Sequence, residues 1–254
     1  MSSFSLKLFA AAFMLVDHLG ILLNRHRLID AQVYLLMRTL GRFAFPVYAF
    51  LLAEGFRQLK HSPERLKRHA FLLLLLTVTG ELAFDWFDHR TLSYSYSQSV
   101  MFTLLLGFLG LWLAELWRDR PWRRLGIFLL TGAAGYMIEA NYRLAGVLLI
   151  FACSLYLDRF EAWDYARRCL GLLGVMGFYL LVYAWSGTEF GSPAAAWDRL
   201  RGMGWFLLPH LLLVPLLASY QGRLGYRSRV LHRCYQWFYP AHLAALGLIS
   251  ALLG

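Results

Sequence analysis

Leu6 to Gly20 reads LKLFAAAFMLVDHLG, and this stretch decides the fold. A basic residue leads into an apolar run, which Asp17 and His18 interrupt where the hydrophobic core should end. About 20 predominantly apolar residues span the hydrocarbon of a bilayer as a helix. A secretory leader would carry a small-residue A-x-A cleavage pattern after its apolar core. None follows here, so the segment reads as a retained first transmembrane helix.

The rest of the chain repeats the pattern. Of 254 residues, 59% are hydrophobic and only 16% charged, too apolar a mixture for a water-soluble domain of this size. Apolar runs between charged or Pro/Gly-marked breaks fall at 5–23, 32–56, 69–88, 98–117, 124–140, 142–157, 169–186, 203–220 and 231–253. The expectation is an all-α, polytopic helical bundle of about nine spans, one transmembrane domain covering 1–254. Cations concentrate in alternate loops: Arg57, Lys60, Arg65, Lys67 and Arg68, then Arg118, Arg120, Arg123 and Arg124, then Arg159, Arg167 and Arg168, then Arg223, Arg227 and Arg229. By the positive-inside rule those loops and the N-terminus are cytoplasmic.

The net charge of +10 resides in these juxtamembrane clusters, so the partner it implies is the lipid bilayer, not nucleic acid. Cys153, Cys169 and Cys234 are far apart and form no CxxC pair, so no metal site is expected.

What needs explaining is the polar content of the spans. Asp17 and His18 lie in the first, Arg38, Arg42 and Glu54 in the second, Glu81 and Asp85 in the third, and His242 in the last. One ionised side chain at the centre of a lone helix costs about 2.5 to 3.5 kcal/mol on insertion scales. Several unpaired would exceed the stability of a typical domain, so they must converge. The alternating topology puts Asp17, His18, Arg38, Arg42, Glu81 and Asp85 in the outer half of the bilayer. Gln98 and Thr103 join them at the start of the fourth span, Glu139 at the end of the fifth, and His242 near mid-depth.

Spacing refines this. Arg38 and Arg42 share a helix face, as do Glu81 and Asp85, so an Arg pair facing a carboxylate pair is one expected clasp. The alternative pairs Asp17 with Arg38 or Arg42 and leaves Glu81 or Asp85 to support His18. Pro46 removes a backbone hydrogen bond one turn past Arg42 and should kink the second span. Lys7 and His18 are eleven residues apart, about three turns, and line one stripe roughly 16 Å long. A cation at the cytoplasmic end can hold the phosphates of a coenzyme A thioester while its pantetheine arm reaches an imidazole, the natural general base for an amine or hydroxyl. Against this stands a purely structural reading, in which the ions lock helices together and Lys7 snorkels to the interface.

Seven stretches carry a resemblance. LKLFAAAFMLVDHLG at Leu6 to Gly20, GRFAFPVYAFLLAEG at Gly41 to Gly55, GELAFDWF at Gly80 to Phe87, and QSVMFTLLLG at Gln98 to Gly107 come first. NYRLAGVLL at Asn141 to Leu149, YQGRLG at Tyr220 to Gly225 and FYPAHL at Phe238 to Leu243 follow. Together they resemble the TraX family, known for acetylating the N-terminus of conjugative pilin subunits. The sequence departs from the expected pattern at Ser99, Asn141 and Gln221. The basic residue eleven before His18 is also similar to the first-helix pattern of acyltransferase family 3 membrane enzymes.

The resemblance implies a multi-pass protein of the bacterial inner membrane that moves an acetyl group from acetyl coenzyme A. It points at Asp17, His18, Arg42, Glu54, Glu81, Thr103, Tyr142 and His242. The expected roles are His18, Asp17, Glu81 and His242 in catalysis, with Lys7, Arg38, Arg42, Glu54, Asp85, Gln98, Thr103 and Tyr142 binding the substrates. The acceptor is left open among a pilin peptide, a glycan, a lipid and a small molecule. The rival class is a small proton- or anion-coupled transporter, whose buried ions would carry the transported charge.

Overall fold

The computed structural model describes residues 1–92, 97–202, 204–226 and 228–253. Among them no strand forms, and the helices run in the order α1 (Ser3–Arg25), α2 (Ala31–Gly41), α3 (Ala44–Leu59), α4 (Pro63–His89), α5 (Val100–Glu115), α6 (Pro121–Met137), α7 (Arg143–Leu157), α8 (Tyr165–Ser186), α9 (Pro193–Gly202), α10 (Gly204–Ala218) and α11 (Arg229–Leu252). Each expected apolar run falls on one of these helices or on a broken pair. Among the described residues four helical stretches are long and apolar enough to cross a membrane, namely α1, α2 with α3, α4 and α8, with a fifth where the bent pair at Pro193–Gly202 and Leu207–Ala218 counts as one span, fewer than the nine expected. α5 and α7 are apolar but shorter. The protein is therefore a helical membrane protein.

Helix ends follow local chemistry. The Asp30 carboxylate accepts from the backbone N–H groups of Gln32 and Val33 at 2.9 and 2.8 Å and starts α2. Asp164 does the same for α8 through Arg167 at 2.9 Å. Pro63 and Pro121 sit in the first turns of α4 and α6, where no donor is missed. Between α2 and α3 the helix breaks at Arg42 and Phe43. Pro46 has no N–H for the Arg42 carbonyl four residues earlier, which is the kink that the sequence implies.

α3 sits at the centre, in contact with α1, α4, α5 and α7, and its Val47, Ala49 and Phe50 are fully buried. α11 packs along α4 and α1, and their far ends are tied together. Arg25 of α1 bonds the Asp88 carboxylate at 2.8 Å, and Arg90, just after α4, donates to the Ser250 hydroxyl of α11 at 2.8 Å. His26 reaches the same hydroxyl at 2.9 Å. These ties fix the relative heights of the helices that carry His18 and His242.

Candidate active site

α1 and α11 bring two histidines together. His18 Nδ1 lies 2.9 Å from His242 Nε2, and both residues are buried. His242 Nδ1 lies 2.7 Å from the Phe238 carbonyl. A carbonyl only accepts, so His242 Nδ1 carries a proton. In the neutral ring Nε2 is then bare and must accept, so the proton between the rings belongs to His18 Nδ1. The neutral His18 ring is left with its lone pair on Nε2, a poised base. Were both rings protonated, two N–H donors would face each other. Phe238 stacks on His242 at 4.7 Å between centroids, while Phe87 and Tyr239 form T-shaped contacts with His18.

The carboxylates and arginines sort differently from the expected clasp. Asp17 Oδ2 accepts from Arg38 Nη1 at 2.7 Å, because α1 and α2 are direct neighbours. Its other oxygen rests on Gly41, where a methyl group would overlap the carboxylate. Glu81, on α4, does not meet either arginine; its Oε2 accepts the Ser99 backbone N–H at 2.8 Å, at the start of α5. Asp85 is buried one turn farther along α4. Arg42 Nη1 stands 3.5 Å from the Tyr142 hydroxyl, with Asp17 and Tyr183 also in electrostatic reach.

Tyr142 is placed by an unusual backbone. It holds φ +65° just before α7, and its ring stacks on Phe45 at 3.9 Å. Thr103, fully buried, donates to the Asn141 carbonyl. Gln98 lies outside α5 and forms a short parallel bridge: its N–H donates to the Glu139 carbonyl at 3.1 Å and its carbonyl accepts from Asn141 at 3.0 Å. Gln98, Thr103 and Tyr142 thus bind together the segments that enter α5 and α7.

Glu54 belongs to another group of side chains. Its carboxylate accepts from Arg57 at 3.0 Å, Gln58 at 2.9 Å and the Tyr220 hydroxyl at 3.3 Å. This joins the end of α3 to the loop after α10, and the contacts that hold Glu54 there are distinct from those of the histidine pair.

A cavity of about 220 Å³ is lined by Lys7, His69 and His232 among its polar groups and by Met14 and Tyr239, while neither His18 nor His242 is part of its lining. Met14 lies one helical turn before His18, and the Tyr239 ring makes a T-shaped contact with His18. Lys7 sits over the Tyr235 ring, 5.4 Å from its centroid, and the stripe of α1 borders this space at Lys7 and Met14. His69, His232, Tyr48 and Tyr235 were not singled out from sequence. On α11 a signal existed: His232, Tyr235, Tyr239 and His242 recur every three or four residues, the spacing of one helix face. Among the described residues no cluster of three or more His, Cys, Asp or Glu could hold a metal.

The chain matches a family described as TraX protein over residues 2–250. A curated relative from Dichelobacter nodosus, described as "Probable fimbrial assembly protein FimC, serogroup H1", is 27% identical over 250 residues, which covers 96% of this chain and 94% of the relative. No solved structure matches.

Proposed function

This chain belongs to the TraX family, and on that premise we propose that it is a membrane-embedded acetyltransferase with a role in pilus biogenesis. Its donor is acetyl coenzyme A, met from the cytoplasmic side, and its acceptor is an extracytoplasmic amine or hydroxyl, first among them a pilin N-terminus. The chain crosses the bacterial inner membrane in about nine spans with its N-terminus in the cytoplasm, the orientation favoured by its cation-rich loops. The observation that carries the reading is the hydrogen-bond chain from His18 through His242 to the Phe238 carbonyl. It leaves the lone pair of His18 on Nε2, one turn beyond Met14, which lines a cavity that also reaches Lys7.

In the reaction the acceptor amine attacks the thioester carbonyl, and a new C–N bond forms. His18 Nε2 takes the proton that the nitrogen sheds. The tetrahedral intermediate collapses, the C–S bond breaks, and the departing thiolate takes the proton from His18, leaving free coenzyme A and an acetylated amine. His242 stabilises the transient imidazolium by accepting the Nδ1 proton throughout. Lys7 draws the donor phosphates to the mouth of the cavity. Arg42 and Arg38 hold an anionic group of the acceptor, with Asp17 fixing Arg38, and Glu81 and Asp85 complete the polar wall. Gln98, Thr103 and Tyr142 hold the acceptor side of the site in shape, and Glu54 braces the donor side.

The test is purified protein in nanodiscs with acetyl coenzyme A and a pilin N-terminal peptide. The reading expects an acetylated peptide by mass spectrometry and a matching release of free thiol. Flux of an ion or anion into proteoliposomes without donor, and no thiol release, would favour the transporter class instead.

A further inference from the structure

A second space opens beside the cavity just described. It is a groove of about 850 Å³ between the first turns of α1 and of α11. Lys7, His232 and Tyr235 line both spaces, so the two meet at those side chains. Away from those shared side chains the groove carries Arg229, the hydroxyl-bearing Ser3 and Ser228, and the rings of Phe4 and Tyr226. Those two rings stand 5.7 Å apart between centroids, and Tyr226 is exposed.

Two properties define what suits this groove. Among the described residues its lining and that of the inner cavity hold cations and imidazoles but no Asp or Glu. A cation drawn out of water without a carboxylate favours an anionic ligand. An exposed aromatic ring beside cations is a surface on which a base stacks. The frame is also rigid: Ser3 and Phe4 donate their backbone N–H groups to the Arg223 and Leu224 carbonyls at 2.8 and 3.1 Å. Gly225 holds φ +77° where any side chain would collide with Ser2, so the wall is formed before a ligand arrives.

We infer that the α1–α11 groove binds the phosphorylated nucleotide head of the thioester donor, with Tyr226 against the base, Arg229 and Lys7 on the phosphates, and the arm passing Tyr235 into the inner cavity. This rests on the acetyl coenzyme A reading and adds the residues that would select the donor. His232 stands at the junction, where its ring Nε2 is 3.0 Å from Gln236. It marks the point at which head gives way to arm.

Full-length protein in nanodiscs is titrated with adenosine 3′,5′-bisphosphate, the head without its arm. Saturable binding that coenzyme A displaces is expected, weakened about tenfold by Arg229→Gln and similarly by Leu8→Trp, which fills the groove from its wall. Tyr226→Ala should weaken binding while Tyr226→Phe retains it, and His18→Ala should bind as the parent does. Melting curves confirm that each variant folds, and Leu8→Trp stands in if Arg229→Gln does not. Bisphosphate affinity unmoved by both Leu8→Trp and Arg229→Gln overturns the inference, as does a co-purifying phospholipid that coenzyme A fails to displace. Acetyl transfer that persists unchanged in Leu8→Trp also overturns it and leaves the reaction standing. Head binding at this groove without any transfer counts against the reaction and leaves the groove standing.

Discussion

His18 Nδ1 and His242 Nε2 stand 2.9 Å apart, although 224 residues separate them in the chain. The contact gives His242 two duties, accepting from His18 and donating to the Phe238 carbonyl. Glutamine can do both, since its amide carries an acceptor and a donor. His242→Gln should therefore keep most of the acetyl-transfer rate, whereas His242→Ala should lose roughly ten- to a hundredfold in kcat. The KM for acetyl coenzyme A should not move in either variant. Steady-state kinetics on the two purified proteins checks this, and equal losses would mean that the contact is packing alone.

Lys7 lines the space through which the donor would pass, and no ion-pair partner for it is found among the described residues. Lys7→Gln should raise the KM for acetyl coenzyme A about tenfold with little change in kcat. Added salt should narrow the gap between parent and variant, because a phosphate contact at the interface is screened. A fall in kcat at constant KM would assign Lys7 to the chemistry instead.

Asp17 and Arg38 form an ion pair at 2.7 Å with side chains about a quarter exposed or less. Removing one partner strands the other in a poorly hydrated place. Asp17→Leu and Arg38→Met should each lower stability by about 2 kcal/mol, below the range for full burial because water still reaches the pair. The double variant should be more stable than the sum of the two losses. Unfolding titrations in mixed detergent micelles provide the three values.

Gly146 of α7 is the tightest meeting point near Tyr142. A methyl group there would lie 2.6 Å from Thr103 Cγ2, 2.7 Å from Tyr142 Cβ and 2.9 Å from Phe45 Cζ. Gly146→Ala should cost about 1 to 3 kcal/mol through overpacking and displace Tyr142 from Arg42. Gly174, with open space around it, is the control: Gly174→Ala should be neutral or slightly stabilising. Thermal melts of both variants decide it.

The helices were legible because the length of an apolar run and the chemistry of its ends are local facts. Pro46 located the break before α3, whereas the caps at Asp30 and Asp164 emerged only with the structure. The pairing of Asp17 with Arg38 was one of the two that the sequence allowed, whereas the approach of Arg42 to Tyr142 was not read from it. The opposition of Arg38 and Arg42 to Glu81 and Asp85 did not follow, because it depends on helix order. α4 packs on α11, and α2 packs on α1, so Glu81 takes the Ser99 amide while Asp17 takes Arg38. Gln98 was assigned to a helix, yet its backbone is used in a bridge to the loop before α7, a pairing of positions 42 apart that no periodicity reveals. His69 and His232 were not singled out, because the cavity that they line depends on how α1, α4 and α11 pack.

The central claim is that His18 is the base. It is tested by the rate of labelled acetyl transfer from acetyl coenzyme A by His18→Gln, compared with the parent protein in the same nanodiscs. With an unchanged melting temperature and unchanged bisphosphate binding, the account predicts a loss of a hundredfold or more, on the order expected for removing a general base. A folded His18→Gln protein that transfers acetyl at the parent rate would contradict it.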